Sequence, residues 1–351
     1  MSSHRPSPFR IFFISGFLTL AALVLTYAYL GPAAMFVTFL LIIIELTFSF
    51  DNAIINAKVL GTMSPFWQKM FITIGMLIAV FGMRIIFPIL IVMFTAGLSW
   101  NEVVQLALFN PDHYAEALHD AHVSIASFGG MFLLMLTLHF FFDDTRTIHW
   151  LAKIERPLQV VGRKWLHAVV STFILIIITF LPVNHHPNET LIAGLAGILI
   201  YAAIHGVSEV ITKQREVSAK KKGRSMAQSA GLAGLASFVY LEILDASFSF
   251  DGVIGAFAIT KDVILIAVGL GIGALWVRSL TLYIVHHKVL DAYRYLEHGA
   301  HYVIGILAVT LLFGLFYEIP EAVAGLIGLG VIGTAIASSV AYNRQEKLAQ
   351  K

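Results

Sequence analysis

The stretch Glu45-Leu46-Thr47-Phe48-Ser49-Phe50-Asp51-Asn52-Ala53 decides how this chain is read, because Ser247-Phe248-Ser249-Phe250-Asp251 repeats its centre far downstream. Four of the five residues match between 47–51 and 247–251, with Glu45 opposite Asp245 and Asn52 opposite Gly252. Both copies are embedded in long apolar runs. Two more echoes follow in the same order. Arg84 and Arg278 each come after a glycine-rich apolar run, and His119-Asp120-Ala121-His122 is matched by His298-Gly299-Ala300-His301. Three echoes in one order point to a duplicated three-helix unit, at 33–143 and 229–318.

The solvent of these units follows from composition. Of 351 residues, 58% are hydrophobic and 13% charged, and mean hydropathy is +0.83. Soluble domains carry about 25% charged residues, so most of the chain is expected to face lipid. The absence of cysteine excludes disulfides, thiolate metal sites, Fe–S clusters and cysteine nucleophiles. Fourteen histidines and 21 acidic residues leave oxygen and imidazole as the side-chain metal ligands. No tightly bound cofactor and no nucleic-acid partner are expected.

A membrane-spanning helix needs about 20 apolar residues. Ten candidates are present, roughly at 9–30, 33–58, 68–95, 123–142, 167–183, 190–211, 229–259, 262–286, 301–318 and 320–342. The expected fold is therefore an all-α polytopic membrane bundle of about ten helices with two inverted three-helix repeats. Flanking them are an N-terminal helix (1–32), connecting helices with basic loops (144–228) and a C-terminal helix with a basic tail (319–351). Lysine and arginine alternate between loops, as the positive-inside rule requires. Arg5 and Arg10, Lys58 and Lys69, the run from Arg146 to Lys164, the run from Lys213 to Arg224, Lys288 and Arg294, and the C-terminal Arg344, Lys347 and Lys351 define one side. The Gly31–Pro32 turn and the loops at 96–122, 184–189 and 318–321 have none, and Lys261 is the exception. Both termini are expected in the cytoplasm of a cell (inner) membrane protein, with the first segment retained. The acidic 96–122 loop reads as a solvated cap or an acidic vestibule. Positive-inside bias accounts for the 213–224 run, with a polybasic regulatory segment as the other reading.

Five crossings separate the second span from the seventh, so the two copies run in opposite directions. Inverted repeats place a substrate site near the bilayer midplane at their interface. Carboxylates are costly there, about 2.5–3.5 kcal/mol for an Asp at a helix centre. The second span nevertheless carries Glu45 and Asp51, and the seventh Glu242, Asp245 and Asp251. Glu45, Ser49 and Asn52 share one helical face, as do Glu242, Asp245, Ser249 and Gly252. Asp51 and Asp251 sit about 100° away on a regular helix, so a break near Phe50 or Phe250 is expected, with Gly252 and Gly255 lending freedom in the second copy. Carboxylates, an amide and hydroxyls make a hard oxygen cage suited to Mg, Ca or Mn. The structural alternative is that the acids are protonated or paired with Arg84 and Arg278. Five acids against two arginines leave about three charges, which a divalent cation and one proton would neutralise.

Other polar groups carry two readings each. His119 and His122 outside, and His298 and His301 inside, are helix-end residues or a gate and proton relay. His205 and Glu209, four apart, fit a metal or proton site or a plain hydrogen bond. His139, Asp143 and Asp144 read as an acidic helix end, and Trp67, Trp100 and Trp150 as interfacial anchors.

The segment Glu45 to Ala53 resembles the signature of the TerC-type membrane proteins, within the wider LysE-type transporter group. In that family an acidic residue, a serine and an Asp-Asn pair lie in one early helix, and a related Asp motif in a later one. The resemblance covers the two three-helix units and implies export of divalent cations, chiefly manganese, with a historical link to tellurite resistance. It also implies Glu45, Asp51 and Asn52 as ligands from the first copy, with Asp245 and Asp251 from the second. This chain departs in its length, its extra spans between the copies and its Glu242 beside Asp245, which marks a longer, less characterised branch and bears on the ion more than on the fold.

The expected function is a secondary transporter exporting a divalent cation, Mn²⁺ favoured, with protons as the candidate exchange partner. A nucleotide-binding P-loop pattern is absent. An intramembrane aspartyl-type enzyme using Asp51 and Asp251 and a membrane scaffold without transport are the alternatives.

Overall fold

The computed structural model describes residues 7–162, 165–219, 225–317, 319 and 321–349, without the side chains at 48, 207–230, 232, 233, 248–251, 254, 258, 321 and 322. The side chains of Ser249 and Asp251, of Glu209 and of the basic run from Lys213 to Arg224 therefore lie outside the described residues. The described chain is helical with no strand. It runs through α1 (Pro8–Phe48), α2 (Phe50–Thr62), α3 (Pro65–Ala96), α4 (Trp100–Phe109), α5 (Pro111–Asp120) and α6 (His122–Phe142). There follow α7 (Ala152–Val161), α8 (Leu166–Thr179), α9 (Pro187–Ala219) and α10 (Ser225–Ile259). The last four are α11 (Val263–His286), the short α12 (Val289–Ala292), α13 (Leu296–Gly314) and α14 (Glu321–Ala349).

Helix α1 is a hairpin with two legs. Ser15 Oγ donates to Leu275 O at 3.1 Å, and Leu41 packs so closely on Gly269 that a Cβ there would lie 2.6 Å from it. Those two partners are six residues, about 9 Å, apart on α11, whereas 26 residues of straight helix from Ser15 to Leu41 would span about 39 Å. The chain must double back, and it does so at Gly31, whose φ of 86° suits glycine, followed by Pro32, which has no N–H to lose.

Seven described helices are long and apolar enough to cross a membrane, or eight if α7 and α8 form one bent span. That count takes α1 once and does not include α10. With two legs in α1 and α10 added, each of the ten segments expected from sequence is helical over most of its described residues. Phe13, Phe17 and Leu20 on the first leg, Ile192 and Leu199 on α9 and Leu326 on α14 point outward. Such a surface is stable against lipid and would drive association in water.

The break expected near Phe50 or Phe250 falls at Ser49 in the first motif (φ −99°, ψ 19°), and the second motif runs unbroken through α10. Two other expectations are corrected. Gly252 of α10 serves close packing instead of a bend, since a Cβ on it would lie 3.3 Å from Glu45 Oε2. The acidic 96–122 segment is not a loop. It forms α4 and α5, because Val103, Ala107, Tyr114 and Leu118 make one buried face against Leu41, Val92, Val253 and Ile266 while the acids face out. Ser99 caps α4 through Glu102 in a reciprocal box.

The central core is the contact of α6 with α13, where Gly130 receives Leu312 and Gly305 receives Thr137. Helices α2, α10 and α11 pack alongside it. Helix α3 carries two widened, π-helical stretches, Phe71–Gly75 and Ile78–Ile86, a feature common at functional sites.

Candidate functional site

The two motif helices cross head to tail. Asn52 Nδ2 donates to Asp245 Oδ1 at 2.6 Å, and the Gly252 backbone lies against Glu45 Oε2. As the first copy advances from 45 to 52, its partner retreats from 252 to 245. Glu45 corresponds to Asp245 in the repeat, and Asn52 to Gly252. Each position therefore meets the counterpart of the other, the reciprocal pairing of a two-fold axis. Glu45 (4% exposed), Asp51 (4%) and Asn52 (2%) are all buried.

Two arginines enter this crossing and behave differently. Arg84, from the second π-helical stretch of α3, contacts Glu45 Oε1 and lies 3.8 Å from Asp245 Oδ2, with Ala79 O at 3.1 Å. Arg278 of α11 is held mainly by backbone, donating to Phe71 O at 3.1 Å and Gly75 O at 2.6 Å. Its guanidinium lies over the Phe71 ring at 3.8 Å, and Glu242 Oε1 is 3.8 Å away. Ser49 Oγ donates to Glu45 Oε1 at 3.1 Å. The structural alternative of arginine pairing thus applies to Glu45, Asp245 and Glu242. Asp51 has no lysine or arginine partner among the described residues. Buried ion pairs survive only where their remaining bonds are satisfied.

They are not fully satisfied here. Asn52 Oδ1, Asn56 Oδ1, Asp245 Oδ2 and both carboxylate oxygens of Glu242 are buried without a hydrogen-bond donor among the described residues. All five atoms are acceptors, and buried acceptors of this kind call for a water or a cation. Beside Asn56 and Asp245 is a small void of about 10 Å³, lined also by Glu45, Arg84, Arg278 and Thr281, at the lower limit for one water. Yet no group of three His, Asp or Glu among the described residues is arranged to hold a metal ion. Arg84 stands between Glu45 and Asp245, and Asp51 turns elsewhere.

Asp51 turns toward a cavity of about 1310 Å³ together with Glu45, Thr47, Ser49 and Gly252. The mouth of that cavity is acidic and histidine-rich, with Asp112, Glu116, Asp120, His119, His122 and His186. The rings of His119 and His122 lie nearly parallel with centroids 6.2 Å apart. Lys261 pairs with Asp112 at the rim, and that hydrogen bond holds the Lys261 ammonium above its ordinary value. His298 and His301 are elsewhere. His298 Nε2 donates to Ile148 O at 2.9 Å, and His301 Nδ1 to Glu297 O at 2.8 Å while stacking on Phe140 at 3.6 Å. The four histidines that the repeat relates thus divide into a cavity pair and a packed pair.

Three features escaped the sequence. Asn56, one turn after Asn52, had its i, i+4 spacing as a signal. Glu155 of α7 is fully buried, 3.7 Å from Arg146, 3.5 Å from His298 and 3.3 Å from Tyr302, and nothing local announces it. His139, His167 and His205 gather from α6, α8 and α9 with centroids 4.6 and 4.1 Å apart, across separations that periodicity does not link.

A helical bundle with lipid-facing surfaces and a charged crossing at its centre defines a polytopic membrane protein. The chain belongs to the DUF475 family of proteins of unknown function, whose pattern matches residues 50–346. It is also similar to an uncharacterized membrane protein, YceF, of Bacillus subtilis (strain 168), at 30% identity over 116 residues. That match takes in 33% of this chain and 44% of the relative. No solved structure matches the chain. The TerC-type resemblance rests on the motif residues themselves.

Proposed function

We propose that this protein is a secondary transporter that exports a divalent metal cation, Mn²⁺ first among the candidates, in exchange for protons. The single observation that carries the reading is the set of buried, donor-less oxygens of Asn52, Asn56, Glu242 and Asp245 at the crossing of the motif helices. Oxygen sets of this kind suit hard cations, and the intramembrane cost of the acids calls for a functional return. Glu45, Asp51, Asn52, Glu242, Asp245 and Asp251 form the ion's path, with Ser49, Ser249, Arg84 and Arg278 in support. The units 33–143 and 229–318 act as inverted halves.

The cavity supports a direction. Its mouth is built from segments 112–123, 184–186 and 259–261, which carry only Lys261 as a basic residue and so belong outside by the lysine–arginine bias. On the opposite side Lys58 pairs with Glu297, and His301 covers Phe140. This is an outward-open, inward-closed state of a protein in the cell (inner) membrane with cytoplasmic termini.

The test is reconstitution in liposomes with a metal-sensitive dye inside, adding Mn²⁺ and then Ca²⁺, Mg²⁺ and Zn²⁺. Flux that is lost in Asp51→Asn and in Asp245→Asn supports the reading. Folded protein that moves none of these ions refutes it.

A further inference from the structure

Arg84 and Arg278 are counterparts in the repeat, yet their surroundings differ. Arg278 gives both terminal nitrogens to backbone carbonyls and rests on an aromatic ring. Arg84 spends its terminal nitrogens on carboxylates from both repeats, Glu45 of the first and Asp245 of the second, with one carbonyl bond to Ala79. Its Nε has no hydrogen-bond partner among the described residues, and it sits in a π-helical stretch, a feature frequent at functional sites.

Charge counting makes the contrast functional. An arginine keeps its proton in any protein environment. Two carboxylates and one guanidinium carry one net negative charge. A divalent cation added to the same pair would leave one net positive charge in a buried site, with the ion and the guanidinium repelling at close range. The void of about 10 Å³ beside them is too small to separate the two. Ion and guanidinium are therefore competitors for the same oxygens.

We propose that Arg84 is a tethered counter-cation. It bridges Glu45 and Asp245 across the repeat interface when the ion is absent, and it withdraws when a divalent cation takes those oxygens. The empty carrier is thereby kept neutral enough to reset, while Arg278 stays in place as a structural arginine. This rests on the transport reading above and names what regulates occupancy of that site.

The test measures Mn²⁺ binding to purified full-length protein by electron paramagnetic resonance of the free ion, alongside Mn²⁺ exchange in liposomes. Arg84→Gln is expected to bind Mn²⁺ at least tenfold more tightly than the wild type while its exchange rate falls at least tenfold. Arg278→Gln is expected to lower the melting temperature without tightening binding. Arg84→Lys is the second variant if Arg84→Gln does not fold, and its shorter reach is expected to free one carboxylate and tighten binding severalfold. Unchanged or weakened binding in the folded Arg84 variants overturns the proposal. If the wild type binds no divalent ion, the transport reading fails by itself. Binding that then appears only on removing Arg84 still upholds its role as counter-cation, and binding in neither overturns both.

Discussion

Asn52 Nδ2 donates to Asp245 Oδ1 at 2.6 Å, joining the two motif helices at the point where the chain's two halves cross. This bond links positions 193 residues apart and leaves Asn52 Oδ1 facing inward without a donor. Substituting Asn52→Ala leaves a buried carboxylate oxygen without its partner, a loss of about 1–3 kcal/mol. The expected outcome is a lower melting temperature in detergent together with reduced Mn²⁺ flux. Unchanged stability would sink the view that this bond holds the crossing.

Asp51 should separate function from stability. It lies in the cavity wall and has no lysine or arginine partner among the described residues. Asp51→Asn keeps the shape and removes the charge. Flux should fall more than tenfold while the melting temperature stays within a few degrees. A large loss of stability would show that Asp51 holds the fold.

Gly273 should tolerate no side chain. A Cβ there would lie 2.5 Å from Glu45 Cβ and Cγ and 3.3 Å from Ile42 O. Those atoms sit close to their own backbone and cannot swing aside. Gly273→Ala should cost about 1–3 kcal/mol as an overpacked contact and displace Glu45 from Arg84. Thermal melting and ion flux should both suffer.

Glu155 anchors the surface helix α7 from beneath. It is fully buried between Arg146, His298 and Tyr302 and accepts from the backbone N–H of Leu151 at 3.0 Å. Removing one partner of a buried pair costs about 3–5 kcal/mol. Glu155→Ala should therefore expose the 144–165 segment to limited proteolysis, and Glu155→Gln, which keeps the shape, should do so less. Equal protection in all three proteins would exclude this anchoring role.

The acidic mouth should act through space. Asp112, Glu116 and Asp120 are neutralised by Asp112→Asn, Glu116→Gln and Asp120→Asn together. Ion uptake should slow at low salt, and the difference from wild type should vanish as the Debye length shortens to about 8 Å at physiological ionic strength and below. Fold stability at neutral pH should hold, because the Lys261–Asp112 pair is exposed. Since Asp112 raises the Lys261 ammonium, whatever the pair contributes is present below the lysine's unfolded value. It is lost only as pH rises through the raised one, far above neutrality. A salt-independent defect would count against steering.

Much of the fold was legible because lipid imposes simple constraints on a sequence. Long apolar runs, the Gly31–Pro32 turn and the alternation of basic loops carry their meaning locally. The break beside Phe50 was also legible, since Asp51 could not otherwise share a face with Glu45. The unbroken second copy was not, because Gly252 serves packing against Glu45, a contact between residues 207 positions apart in sequence. Helices α4 and α5 were hidden by their acids, whose outward faces read as a loop until Leu41 and Val253 were seen to cover the inward ones.

By itself, the sequence determined the membrane class, the two motifs and the set of acids and arginines, since these depend on composition and on spacing along one helix. Only the tertiary structure decided which acid meets which arginine. It put Arg84 between Glu45 and Asp245, gave Arg278 to backbone carbonyls and set Asp51, without an arginine partner among the described residues, in the cavity wall. The physical reason is that charge pairing depends on distances between helices, and those are set by glycines at 252, 269 and 273 that let backbones approach, a property that appears only when both partners are in place.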